Sequence, residues 1–164
     1  LGASSCDQSL SLNNSTYFEH FCQSDEWELR RVRYHKRRYD INYLIEPINS
    51  GEKVEKSDLK YSELMRCLRN SLAHGGIHPL SPGQSGRLAL PNSTPIKLGV
   101  GSREIIDKVI FLSKWEEKDE EDSSKKITMG FNTIIFSVEA LHLFWKDWRN
   151  LLYKSNYSEL DNAA

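Results

Sequence analysis

Cysteine is scarce: three residues in a chain of 164, an odd number, with no C-x-x-C and no other close pair. That count and spacing exclude a zinc knuckle, a thioredoxin-type redox centre and a disulfide-stapled secreted scaffold, and a reducing cytoplasmic setting is expected. Long apolar runs are missing as well. No stretch approaches the roughly 20 residues that cross a bilayer, and the N-terminus has neither the basic start nor the hydrophobic core of a secretory signal, so no membrane partner is expected. There is no glycine-rich phosphate loop, because Gly99–Ser102 (GVGS) lacks both a third glycine and a lysine. Ser71 has no Gly-x-Ser-x-Gly around it and is not marked as a nucleophile. Net charge is nearly absent too, at -1 with a pI near 6.6, which weighs against nucleic-acid binding through the overall field.

What is present is a folding composition with segregated charge. Charged residues at 27%, the apolar set at 38% and a mean hydropathy of -0.58 describe a polar globular chain and not a disordered one. At this length one domain with one main core is the default. Arg30, Arg31, Arg33, Lys36, Arg37 and Arg38 crowd one window, and the run Glu116–Asp122 holds most of a second, acidic one. The near-zero total conceals two poles.

Residues 1–14 are rich in Ser and Asn without periodicity and read as a flexible arm, residues 15–156 as a single domain, and 157–164 as a tail. From Tyr17 to about Glu46 apolar residues recur at mostly helical spacing behind a capping box at Thr16 and Glu19, until Pro47 ends the pattern. A second helix is expected from Asp58 to Ala73, capped by Ser57, with Tyr61, Leu64, Met65, Leu68 and Leu72 as its buried stripe and Gly75-Gly76 as its stop. Residues 75–101 hold four of the five prolines and form a long loop with a possible strand at Arg87–Leu90. Residues 104–115 are ambiguous, and helix is favoured over strand. The acidic run is an exposed loop leading to a last long helix, Gly130–Tyr153. The fold expected is therefore all-α, a helical bundle with a long loop or small β insertion after the second helix.

The end of that second helix, LRNSLAHGG at Leu68–Gly76, carries the chemistry. Arginine keeps its charge and offers a planar fork matched to phosphate, whereas histidine exchanges protons near neutral pH. RNA brings its own nucleophile in the 2'-OH, so His74 moving a proton and Arg69 stabilising the phosphorane would cleave it without a metal or cofactor. Asn70 shares a face with His74 and is placed to orient its ring. Arg69, however, lies about 140° round the helix from His74, so convergence needs an unwound last turn, a bent arginine, or a second copy across a two-fold axis.

Arg69-Asn70-x-x-x-His74-Gly75 resembles the RxxxxH motif of the HEPN superfamily, the higher eukaryotic and prokaryotic nucleotide-binding domains. The resemblance implies an all-α homodimer whose motif lines the shared groove. It also implies a metal-independent endoribonuclease of the toxin–antitoxin or antiviral kind, with Arg69 and His74 as the catalytic pair, Asn70 beside them, and an antitoxin or regulatory partner. The alternative is a catalytically inactive helical module that binds a protein or nucleotide.

An RNA substrate needs a positive surface, and Arg30, Arg31, Arg33, Arg37 and Arg38 with Tyr34 supply the densest one, phosphate meeting cations and bases stacking on tyrosine. The plainer reading of that run is a solvated helix face. His78 is a further acid/base candidate; with no ligand-spaced neighbours, no metal site is expected. Plainer readings also exist for the motif itself: Arg69 paired with an acid such as Glu63, and His74 simply closing its helix.

Overall fold

The computed structural model describes residues 21, 24–34, 40–88, 96–97 and 105–163. The expected N-terminal arm, the capping box at Thr16 and residues Arg37 and Arg38 lie outside them.

The longest regular segments among the strands are β6 (Lys108–Lys118) and β7 (Lys126–Ser137), paired antiparallel from Lys108↔Ser137 to Lys118↔Lys126 with one irregularity at Trp115/Glu116. Val109, Phe111 and Trp115 face one side of the sheet while Ile110 and Leu112 face the other, as the two-residue period of a strand dictates. Both sides are covered, so the apolar run is continuous instead of alternating. The acidic segment between these strands is a tight hairpin connection. Asp119 N donates to Lys125 O at 3.0 Å, and Asp122 Oδ1 accepts from the Ser124 amide at 3.1 Å.

On the other flank of β7 lie β1 (Trp27–Val32) and, beyond it, β2 (Glu52–Val54). β3 (Ile77–Leu80) closes the opposite edge, giving a five-stranded sheet in the order β2-β1-β7-β6-β3 in which every pairing is antiparallel. A separate two-stranded ribbon joins β4 (Ile96–Lys97) to β5 (Ile105–Ile106).

Among the described residues three helices of more than one turn cover the sheet. α1 (Ile41–Asn49) packs Leu44, Ile45 and Ile48 on the face carrying Val32, Ile110, Leu112, Phe131 and Ile135. α2 (Tyr61–Ala73) and the start of α4 (Val138–Ala163) cover the opposite face. There Leu64, Cys67, Leu68 and Ala140 meet Trp27, Leu29, Phe111, Ile134 and Phe136. A one-turn helix, α3 (Pro82–Ser85), follows β3. Among the described residues no helix is long and apolar enough to cross a membrane.

The all-α bundle expected from the sequence is thus overturned: the chain is a mixed α/β sandwich built on a large antiparallel sheet. The expected helix through Glu46 is helical at Phe21 but then gives way to strand β1 and, after it, α1, and Pro47 sits inside α1, two residues before its end. The segment expected as helix at 104–115 is β5 and most of β6, and the first eight residues of the expected last helix belong to β7. The connection after α2 is not an open loop but begins with edge strand β3. Arg87 and Leu88 lie in a turn, and the remainder of the strand expected at 87–90 lies outside the described residues.

The physical reason is most visible in β1. Its Glu28 and Arg30 look like an exposed helix face, yet both are buried, because the guanidinium Nη2 donates to Glu28 Oε1 at 2.9 Å and Nη1 to the Ile48 carbonyl at 3.0 Å. Mutual pairing lets a charged sequence enter the core.

Candidate functional site

α2 positions the motif. A single 3-10 turn (Lys56–Asp58) precedes it, and the cap is Lys60 and not Ser57: the Glu63 carboxylate accepts from the Lys60 amide at 3.5 Å. Leu64, Cys67, Leu68 and Ser71 form the buried stripe, while Leu72, expected inside, is 63% exposed. The stop is the one expected from Gly75-Gly76. Gly75 takes a positive φ of 67°, His74 N donates to Asn70 O at 3.0 Å, and Gly76 N donates to Ser71 O at 2.7 Å.

The two motif side chains enter different hollows. Arg69 lines an apolar groove of about 950 Å³ between α2 and α4, walled by Met65, Leu72, Phe144, Trp145 and Trp148. His74 and Asn70 line a second hollow of about 500 Å³ on the other flank of α2, together with His78, Ser113, Lys114 and Glu116. Within one chain, therefore, the arginine and histidine are not brought together, as their angular separation on a regular helix requires. Neither side chain has a hydrogen bond or ion pair among the described residues, and Glu63, the acid considered for Arg69, pairs instead with Arg31 at 3.4 Å.

The His74 hollow adjoins a smaller one of about 330 Å³ that shares Asn70, Ser113, Lys114 and Glu116 with it and is also lined by Arg31, Arg66 and Lys126. Asn70 stands where the two meet. Lys114 Nζ lies 2.7 Å from Glu116 Oε1, and that contact holds the carboxyl below its usual range. Burial lowers His78 from its ordinary value and the nearby Asp40 partly offsets the effect. Burial also raises the thiol of Cys67, against the Coulombic pull of Arg66, so it is no nucleophile at neutral pH. Among the described residues no cluster of three or more His, Cys, Asp or Glu side chains could hold a metal ion.

The expected cationic RNA face is not built as a helix face. Strand alternation sends Arg30 to the α1 side, buried, and Arg31 to the α2 side, half-exposed on Glu63. Arg33 is exposed, its guanidinium 5.1 Å from the centre of the Trp115 ring, and Tyr34 is half-buried with its ring edge-on to Phe131 at 5.9 Å. Of the run, Arg31 and Arg33 alone among the described residues are placed to meet a polyanion; Arg30 is a core residue.

Sequence reasoning missed Lys114. The residue lies on β6 three positions past Phe111, where the β3–β6 pairing ends, and that long-range register is announced by no local pattern; Gly75-Gly76 followed by a short Ile-His-Pro-Leu run was the available hint. Comparison with family models, with curated proteins and with solved structures returns no match to this chain. The HEPN resemblance accordingly rests on the motif residues of α2 alone, without the helical bundle it implies.

Proposed function

We propose that the protein is a metal-independent endoribonuclease in which His74, with Asn70 beside it in the same hollow, transfers a proton at the scissile phosphodiester. Arg69 of a second copy would supply the charge opposite the phosphorane. The observation that carries this reading is that the His74 and Arg69 side chains, at a helix end, engage no hydrogen-bond or ionic partner among the described residues, so the fold itself gives neither a task. The apolar groove beside Arg69, with Leu72 and Trp145 exposed on its walls, is the surface on which a second copy would seat and bring its arginine across. A toxin or antiviral role in the cytoplasm, restrained by a partner protein, is the setting the motif resemblance suggests.

The test is cleavage of RNA in EDTA with 2',3'-cyclic phosphate ends as the product. His74→Ala and Arg69→Ala should each abolish cleavage with the melting temperature unchanged, since both side chains are exposed. Intact RNA from pH 6 to 9 with a folded wild-type protein overturns the reading. A catalytically silent binding module is the second reading, favoured by the size of the α2–α4 groove, which needs no histidine. It predicts partner binding that His74→Ala leaves untouched.

A further inference from the structure

Cleavage of RNA by its own 2'-OH requires two proton transfers, one off the attacking oxygen and one onto the departing 5'-oxygen, and these atoms lie on opposite sides of phosphorus. One imidazole cannot serve both in a single in-line step, so His74 needs a partner. We propose that His78 is that partner, taking the 2'-OH proton while His74 protonates the 5'-oxygen, with the Lys114 ammonium on the phosphate between them. This inference rests on the ribonuclease reading and deepens it.

The geometry comes from the turn after α2. Gly75 in the left-handed region reverses the chain, and Leu112 N donating to Gly76 O at 2.7 Å fixes the start of β3 against β6. The register His78↔Ile110 puts His78 on the face of the sheet that holds Leu112 and Lys114 and that α1 covers, whereas α2 lies on the other face, so His74 and His78 approach the hollow from opposite faces at the β3 edge. His74 at the end of α2, His78 on β3 and Lys114 on β6 thus come from three elements to line one hollow. A side chain at position 75 would meet nothing within 4 Å, so the turn that joins the two histidines in sequence is open at that point. The volume of about 500 Å³ falls in the range of sites that hold small ligands.

The chemistry divides between the two rings. His78 is half-buried, and burial favours its uncharged form, the state a base must be in. Glu116 takes one ammonium hydrogen of Lys114 and holds the head at the rim. In the step, the O2'–P bond forms and the P–O5' bond breaks. The 2'-OH proton passes to a His78 nitrogen, and a His74 nitrogen gives its proton to O5'. The products are a 2',3'-cyclic phosphate and a 5'-hydroxyl, and exchange with water restores both rings.

Two substrates read the roles apart in the full chain: a uridylyl-adenosine dinucleotide, whose alkoxide leaving group needs a proton, and uridine 3'-(4-nitrophenyl phosphate), whose phenolate does not. His78→Ala should lose about 100-fold or more on both. His74→Ala should lose as much on the dinucleotide but stay within about tenfold of wild type on the aryl ester. Lys114→Ala should fall on both substrates and be partly restored in Lys114→Arg. His78→Gln, which keeps volume and polarity, should match the alanine variant while retaining the wild-type melting temperature.

If His78 variants cleave like wild type while His74→Ala is inactive, this inference is overturned and the ribonuclease reading stands. The assignment of roles is equally overturned if His78 variants are the ones spared on the aryl ester. If wild-type protein leaves both substrates and long RNA intact, both proposals fall together.

Discussion

Arg30→Ala should destabilise the protein by about 3–5 kcal/mol and leave RNA affinity unchanged. The magnitude follows from the site: the Arg30 and Glu28 side chains are 9% and 8% exposed, so solvent screens their pairing little. Truncation strands the Glu28 carboxylate in the core and removes the donor from the Ile48 carbonyl near the end of α1. An abandoned buried charge is worth more than the net value of the pair. The single variant is therefore expected to be severe, and the apolar double variant Glu28→Leu/Arg30→Met to come within about 1–2 kcal/mol of wild type. Urea unfolding followed by tryptophan fluorescence suits the measurement, because the buried Trp27 adjoins Glu28 in β1 and reports on the same strand. For a chain of this size the loss corresponds to about 6–20 °C in Tm. A change under about 1 kcal/mol, or an RNA-binding defect at unaltered stability, would refute the burial argument and return Arg30 to the polyanion surface.

Gly76→Ala should be more damaging than Gly75→Ala. A Cβ at 76 meets the Leu112 carbonyl and must push β3 off β6, whereas at 75 it meets nothing and adds only the left-handed strain of about 1–2 kcal/mol. Thermal melts of the two variants decide it. Leu72→Glu, at an exposed position, should keep the melting temperature but shift sedimentation to the monomer if the α2–α4 groove holds a second copy; an unchanged dimer places the interface elsewhere. Cys67 should resist iodoacetamide at pH 7.5 until urea unfolds the chain, as peptide mapping would report, since burial keeps its thiol protonated. For His78 the folded value lies below the ordinary 6.5, so the unfolded chain binds more protons as pH falls. The stability its neutral ring contributes is present above about pH 6.5 and is lost as the pH drops toward the folded value. His78→Gln should flatten that part of the stability profile, and an unaltered slope would show the ring to be solvated.

The motif helix was legible because its 3.6-residue apolar stripe and the glycines at its stop agreed, although its cap is Lys60 in place of Ser57 and Leu72 falls outside the buried stripe. The sheet was not, and β6 and β7 show why. Strands covered on both faces spell runs such as VIFL and TIIF, and a short apolar run satisfies helical and extended periods alike. β1 misled in the opposite sense, because Glu28 and Arg30 are buried by pairing with each other along the strand and with the Ile48 carbonyl of α1, and it is the contact with α1 that has no local signature.

The candidate site divides along the same line. That Arg69 and His74 diverge is a property of one helix, calculable from their spacing and upheld by the structure. That His78 and Lys114 line one hollow with His74 depends on which residue of β3 faces which residue of β6, and a slip of one position would move His78 off the face it shares with Lys114. The pair most visible in the sequence is therefore the one a single chain separates, and the trio it assembles is joined by register. Catalysis by the first requires two copies in contact, whereas catalysis by the second does not, so activity measured under dilution on the Leu72→Glu monomer distinguishes them: full loss assigns the phosphate clamp to Arg69 of a second copy, and retention assigns it to Lys114.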